Sequence, residues 1–269
     1  MKAREHLELY QLEETYWWFI GRRELVAQMV GQYHRGPAPV ILDAGCGTGG
    51  TMAQVAALGR VVGCDTSTYA LGFCRKRGFK ELLAGDVSAL PFASGSLDVV
   101  LNCDVLEHTL DDRAALAELV RVLRPGGTLV LTVPAHRFLW SEHDEALEHR
   151  RRYSARQLRR MLQDSGMLVA KLSPVVVGVF LPILLFRLLQ RLRPKAPDAP
   201  RTDLRVLPRF TNDLLVQGLR LENWLLRRMN LPVGTSLVAV AHKPGGQSSQ
   251  PEGGHASDAG GSVSGGGSR

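Results

Sequence analysis

The sequence predicts an α/β domain, a parallel sheet with helices packed on both faces, and three observations carry that prediction. From Val40 to His242, strand-like apolar runs alternate with amphipathic helix-like runs, the order that generates a helix-covered parallel sheet. The first apolar run, Val40 to Ala44, leads straight into a glycine turn, Gly45-Cys46-Gly47-Thr48-Gly49-Gly50, and then into a helical pattern. The chain has 269 residues, 45% of them hydrophobic, enough to fill the core of one large domain and too many for wholesale disorder.

Residues 1–39 precede the first strand, are mostly helical by pattern, and contain Tyr16-Trp17-Trp18-Phe19 followed by Arg22-Arg23. Three large rings in a row cannot share one helix side, so this piece is expected to act as a lid that excludes water from a site. Strands are expected at Val40–Ala44, Arg60–Cys64, Glu81–Leu83, Asp98–Asn102, Thr128–Val133, Leu168–Leu172 and Ser236–Ala241. Between them Thr51–Leu58, Tyr69–Arg77, Arg113–Leu123 and Ala155–Asp164 carry helical spacing. Ser154 with Gln157 opens the last of these as a capping box, and Gly59, Gly78 and Pro125-Gly126-Gly127 stop the other three. Residues 40–243 form the main domain. Residues 174–234 break its rhythm, because about sixty residues separate the last two strands where a few suffice, and they read as an inserted subdomain. Residues 244–269 hold nine of the 28 glycines and six serines and are expected to be a disordered tail.

Composition narrows the partners. A net charge of +7 favours an anionic one, such as membrane lipid or a phosphorylated substrate. Cys46, Cys64, Cys74 and Cys103 form no CxxC pair, which argues against a disulfide scaffold or zinc module, and no metal is assigned. The first residues carry scattered charges and no apolar run of signal-peptide length, so the chain is expected on the cytoplasmic side.

The glycine turn at the end of the first strand lets a ligand approach bare backbone at the sheet's carboxyl edge. Twenty residues after Gly45, Asp65 ends the next strand, where an acid accepts hydrogen bonds from a ribose diol. The spacing is GxGxG with Asp43 just before it, rather than the GxGxxG that seats a pyrophosphate on a helix N-terminus. A nicotinamide-dependent oxidoreductase is disfavoured on that ground.

At these residues the sequence resembles the class I S-adenosylmethionine-dependent methyltransferases, of the small-molecule type often called methyltransferase domain 11. Five elements match in order: Leu42 to Gly49, Asp65, Gly85-Asp86-Val87 with Leu90-Pro91-Phe92, Asp98 to His108, and Leu123 to Thr128. The resemblance implies a Rossmann-like three-layer α/β/α fold, with a mostly parallel seven-stranded sheet and an antiparallel last strand. It also implies S-adenosylmethionine as cofactor. Asp43, Gly45, Gly47 and Gly49 would hold its methionine part, Asp65 with Thr66 beside it the ribose, Asp86 and Val87 the adenine, and Asn102 to Asp104 the floor near the sulfonium. Glu107 and His108 read equally well as a structural turn.

After the fifth strand come Pro134 to Asp144 and then His149-Arg150-Arg151-Arg152-Tyr153-Ser154, at the sheet edge where acceptors sit. His143 or His136 is expected to act as general base, and Arg150 and Arg151 to clamp an acceptor phosphate or carboxylate. Tyr153 is placed with the acceptor, and Trp17 and Trp18 would close over it. Together with the YWWF, this stretch resembles a bacterial subgroup of these methyltransferases found among enzymes of polysaccharide and glycolipid assembly. That implies a small-molecule, saccharide- or lipid-linked acceptor.

In the insertion, Val175 to Phe186 is apolar apart from Gly178 and Pro182, and residues 187–209 then carry seven basic and two acidic side chains. Twelve residues is shorter than the roughly 20 needed to cross a bilayer. The segment 175–209 is therefore expected to lie on an anionic membrane surface, with a pocket roof or a dimer contact as the other readings. Nucleic acid is not expected, because prolines and leucines rather than stacking aromatics separate the basic residues. The expectation is O-methyl transfer at the cytoplasmic membrane surface; the alternative is a non-catalytic, membrane-docked scaffold of the same fold.

Overall fold

The computed structural model describes residues 3–191 and 207–245. The described residues form one seven-stranded sheet of order β3-β2-β1-β4-β5-β7-β6. Its strands are β1 Val40–Ala44, β2 Arg60–Asp65, β3 Leu82–Ala84, β4 Leu97–Cys103, β5 Leu123–Pro134, β6 Leu168–Val175 and β7 Ser236–His242. Pairings from β3 to β5 are parallel. β7 lies antiparallel between β5 and β6, so the last strand in the chain is not the edge of the sheet.

Strand alternation feeds two separate cores. Ile41, Val99, Leu101, Val130, Val238 and Val240 point to one, and Leu42, Val100, Leu129, Leu131, Ala239 and Ala241 to the other. Because helices cover both faces, the strands read as continuous apolar runs rather than alternating ones. The first face packs α2 (Trp17–Tyr33), α3 (Gly50–Val55), α4 (Thr68–Lys76) and α9 (Arg209–Leu226). The second packs α5 (Asp112–Val122) and α7 (Ala155–Asp164). The expected Ser154 cap on α7 is present, its hydroxyl accepting from Gln157 N at 3.2 Å.

Several boundaries differ from expectation by one residue, and three by more, among them β6, which runs on to Val175 rather than Leu172. α3 ends at Val55 rather than Leu58. β5 begins at Leu123 rather than Thr128, and residues 124–127 bulge out of the β4–β5 register with Gly126 at φ +78°. The bulge is tied to the sheet by the Leu97–Leu123 pairing and by Gly126 N donating to Lys243 O at 2.9 Å.

The N-terminal piece and the insertion form a joint layer. Asn212 of α9 accepts from Trp17 N at 2.9 Å and donates to Thr15 O at 2.8 Å, and Asn223 donates to Gly21 O. Gly21 allows the close crossing: a Cβ there would lie 2.2 Å from Leu219 Cδ1. The remaining helices are α1 (Ala3–Leu12), α6 (Glu142–Ala146) and α8 (Phe180–Arg191). The tail beyond Gly245, and the basic string between Arg191 and Leu207, lie outside the described residues. No helix among the described residues is long and apolar enough to cross a membrane.

Candidate active site

The strand order reverses between β1 and β4, the place where open α/β sheets bind ligands, and a cleft of about 1260 Å³ opens there. Its first end is built by the glycine turn. Gly45 stands at φ +89° and a Cβ on it would meet Val105 Cγ2 at 2.3 Å, so only glycine fits without displacement. Gly49, at φ +88°, is the N-cap of α3 and supports the turn from behind. Gly45 N donates to Cys64 O at 2.8 Å, and Gly47 N to Asp65 Oδ2 at 2.8 Å. Asp65 Oδ1 accepts from Ser67 N. The acid at the end of β2 therefore pins the turn as well as facing the cleft. Thr66, Asp86 and Val87 line the same end, with Asp86 Oδ1 fixed by Ser88 N at 2.7 Å.

Asp43 is the least satisfied of these acids. It lines the cleft, yet its Oδ2 is buried with no hydrogen-bond partner. Burial pushes its carboxyl up to about 7 against the pull of Arg22. An orphaned carboxylate oxygen beside bare glycine backbone fits the cationic amino-acid end of S-adenosylmethionine. Asn102 does not line the cleft. It is fully buried beneath it, donating to Ala44 O at 2.9 Å and tying β4 to the end of β1. Asp104 does line it, at φ +55°, and is held by Arg22 at 2.5 Å and Thr132 Oγ1 at 3.1 Å.

The N-terminal helices border the cleft. Trp17, Trp18 and Phe19 line the cleft, and the Arg22 guanidinium lies 4.9 Å from the Trp18 ring centroid. α1 also crosses the glycine turn. Glu13, just past its end, accepts from Thr48 Oγ1 at 2.7 Å and pairs with Arg77 at 2.5 Å. Sequence reasoning noted Arg22 only as part of the pair after the aromatic run and did not single out Glu13 or Arg77; each acts through partners about 35 to 80 residues away, for which local spacing gives no signal.

The far end holds the acceptor candidates. His143 and Arg150 line it. His136 does not; it sits at φ +61° between the Phe138 and Phe180 rings, at centroid distances of 4.9 and 5.9 Å, with burial followed by Arg152 lowering its pKa. Arg151 also points away, donating to Thr109 O and Leu110 O and pairing with Asp112 at 2.9 Å. Tyr153 is a core residue, fully buried, its hydroxyl 3.0 Å from Asp112 Oδ2. These placements correct the assignment of Arg151 and Tyr153 to the acceptor. The bridge between Ala135 and Tyr153 turns the ring inward.

Asp144 is fully buried and organises this end. It serves His149 Nδ1 at 2.9 Å and Arg152 at 2.7 and 3.0 Å, as well as the Ser141 cap. Burial alone would raise its carboxyl, but the bonds from His149 and Arg152 overcome it and hold the group at about 2. Beside it, Glu107 lies fully buried with neither carboxylate oxygen partnered. Burial, then Asp104, pushes Glu107 well above the carboxylate range, and burial followed by His149 lowers His108 to about 4.

α8 roofs the far end. Ile183 and Arg187 of α8, with Val176 and Val179 from the segment just before it, line the cleft. Leu181 (71% exposed), Leu185 (60%), Leu188 and Leu189 face outward. On α9, Phe210 (81% exposed), Leu214, Leu221 and Trp224 are exposed as well.

Comparison with known proteins agrees with this architecture. Residues 42–131 match the methyltransferase domain family. A probable S-adenosylmethionine-dependent methyltransferase of Mycolicibacterium smegmatis is 33% identical over 158 residues, which is 57% of this chain and 60% of that one. An uncharacterized 37.1 kDa protein from a Streptomyces fradiae transposon is 36% identical over 160 residues, 52% of this chain and 46% of that one. The chain thus spans about half the length of the curated relatives it matches. Among solved structures, the putative methyltransferase in complex with the Haloferax volcanii Trm112 activator superposes with TM-score 0.58 at 19% identity, covering 87% of this chain and 92% of that one. The [4+2]-cyclase SpnF superposes with TM-score 0.56 at 20% identity, covering 83% and 81%. Residues 42–131 thus match the methyltransferase domain family, and the sheet that carries them has the Rossmann-like methyltransferase fold.

Proposed function

We propose that the protein transfers the methyl group of S-adenosylmethionine to an oxygen of a saccharide- or lipid-linked small molecule bound at the far end of the cleft. The observation that carries this reading is the division of one cleft into two chemistries. One end is bare glycine backbone with Asp43, Asp65 and Asp86; the other is lined by His143, Arg150 and Arg187 under an apolar helix. Its volume of about 1260 Å³ exceeds the roughly 300–1,000 Å³ of a single-ligand site, which suits cofactor and acceptor side by side. The SpnF likeness shows that the fold alone does not fix the reaction, so the argument rests on these residues.

Asp43 with the Gly45 and Gly47 backbone would hold the amino-acid end, Asp65 with Thr66 the ribose, and Asp86 with Val87 the adenine. When bound, the cofactor supplies a methyl carbon that already carries its leaving group. The chain's task is then placement and proton removal. Trp17, Trp18 and α1 exclude water; Arg150 and Arg187 orient an acceptor anion; His143 takes the hydroxyl proton. The α8 roof, with its inner face on the cleft and its outer face apolar, would let the protein rest on a membrane surface and draw a lipid-linked acceptor beneath the helix.

Labelled methyl transfer into membrane and soluble extracts of the host, followed by organic and aqueous partition, tests this. Label in the organic phase is the expected result. Aqueous label would overturn the lipid-linked acceptor and leave the soluble one. An absence of S-adenosylhomocysteine binding would overturn methyl transfer itself, and binding without any transfer would favour the scaffold reading. Leu185→Asp should abolish co-sedimentation with anionic vesicles at unchanged cofactor affinity, and unchanged co-sedimentation would refute the membrane role.

A further inference from the structure

We propose that Glu107, His108 and His149 bind one divalent transition-metal cation, of the zinc or manganese kind, at the acceptor end of the cleft, with open positions for acceptor oxygens. Among the described residues these three bring one ligand atom each to within 4.8 Å of one another. Two imidazoles and a carboxylate are a donor set suited to zinc, manganese or ferrous iron, and three protein ligands leave coordination sites for substrate.

Glu107 gives the independent sign of a missing partner. Its side chain is fully buried, it borders the cleft, and neither oxygen has a hydrogen-bond partner. A carboxylate taken out of water with nothing to bind is costly, and a cation at this point would satisfy it. Asp104, the nearest other acid, is already held by Arg22 and Thr132 and is left out of the ligand set.

The three ligands come from two segments that the backbone binds together. Glu107 and His108 stand on the 3₁₀ turn after β4. His149 follows α6, and Arg150 next to it donates through its backbone N to Glu107 O at 2.9 Å and through Nε to His108 O at 3.1 Å. Asp144 fixes the His149 ring through Nδ1 at 2.9 Å, which leaves Nε2 turned toward Glu107 Oε1 at 3.9 Å. A carboxylate behind the imidazole of a metal ligand is the usual outer-shell partner, and it sets which nitrogen binds. Donors about 2.1 Å from a tetrahedral zinc lie about 3.4 Å apart, so this pair needs to close by roughly half an ångström.

The role of the ion rests on the methyl-transfer reading. A metal-bound acceptor hydroxyl loses its proton more readily. The proton passes to His143, the oxygen forms the bond to the methyl carbon, and the carbon–sulfur bond breaks with its electron pair left on sulfur.

The full-length protein, stripped with chelator, is titrated with Zn²⁺ alone and with Mn²⁺ alone by calorimetry, with S-adenosylhomocysteine affinity and Tm measured on the same samples. One ion per chain is expected for the wild type, with affinity lowered at least tenfold in Glu107→Gln and His149→Gln. Glu107→Gln keeps the side-chain volume and is expected to keep the wild-type Tm. As a positioning residue, Asp144 is tested by Asp144→Asn, which should weaken Zn²⁺ about 10–100-fold and change the visible absorption of the Co²⁺ form. Binding weaker than about 1 mM, or equal binding by wild type and Glu107→Gln, overturns the site in favour of a metal-free Glu107–His149 pair. Lost metal binding with intact S-adenosylhomocysteine binding sinks the metal site only; the reverse sinks the methyl-transfer reading only.

Discussion

Lowering the pH from about 8 to about 6 should weaken S-adenosylhomocysteine binding about tenfold, through a single carboxyl group. Asp43 ends β1 with Oδ2 buried and unpartnered, and burial lifts its carboxyl to about 7 although Arg22 pulls the other way. A ligand ammonium against that oxygen requires the ionised form, so affinity follows the ionised fraction. For a group titrating near 7 that fraction is about nine-tenths at pH 8 and about one-tenth at pH 6. Calorimetry near pH 7 in buffers of different ionisation enthalpy should then report release of about half a proton per ligand bound. Stability carries the opposite sign in the free protein. Between about 4 and about 7 the unfolded chain has lost this proton while the folded chain keeps it, so the Asp43 contribution falls as pH rises, and the ligand raises Tm more at high pH than at low. Asp43→Asn should remove the slope and weaken binding throughout. A flat affinity across this range in the wild type, or a slope that survives in Asp43→Asn, would refute the reasoning.

Other consequences are separable by assay. Tyr153→Phe removes the bond to Asp112 but leaves Asp112 paired with Arg151, so it should cost about 1–2 kcal/mol of stability, read as a lower Tm, without changing cofactor affinity; a selective rise in acceptor KM would return Tyr153 to the acceptor site. Asp144 is held at about 2 against an ordinary 3.8, so its stabilisation is complete above about 4 and is lost as pH falls through about 2. Asp144→Asn should therefore lower stability at neutral pH and converge on the wild type in strong acid, and parallel curves would contradict that account. Gly45→Ala places a side chain at φ +89° against Val105, a strain of about 1–3 kcal/mol. Adding Val105→Ala should recover part of the stability by removing the clash, and no recovery would assign the whole loss to backbone conformation.

Much of the fold was legible because it depends on local rules. The β1 run, the glycines after it and Asp65 obey constraints that act within one βαβ unit, and the observed Val40–Ala44 matches its expected bounds. The boundary that moved furthest depended on distant pairing. Pro125-Gly126-Gly127 has the composition of a turn and does bulge out of the β4–β5 register with Gly126 at φ +78°, yet Leu123 before it already pairs with Leu97 and Gly126 donates to Lys243 O, so the strand starts earlier than local composition indicates. The position of β7 between β5 and β6 is likewise invisible in its own seven residues; the family resemblance implied only that the last strand is antiparallel.

The site divides along the same line. The cofactor end is built from backbone and from acids that follow their strands directly, and Asp43, Gly45, Gly47, Asp65, Thr66, Asp86, Val87 and Asp104 of the expected set line the cleft, whereas Asn102 lies beneath it. At the acceptor end the sequence juxtaposes His143 with Asp144, but neighbouring residues on a helix point in different directions. The Ser141 capping box turns the Asp144 carboxylate back toward His149 and Arg152, so the working pair is set by how α6 begins. Glu107 and His108 read as a turn for the same reason. Their chemistry appears only when the loop after α6 is laid against them by the bonds of Arg150. Two segments forty residues apart, each bland alone, then share one buried carboxylate and two imidazoles, and a variant that loosens the α6 cap should disturb this end of the cleft while leaving the glycine turn intact.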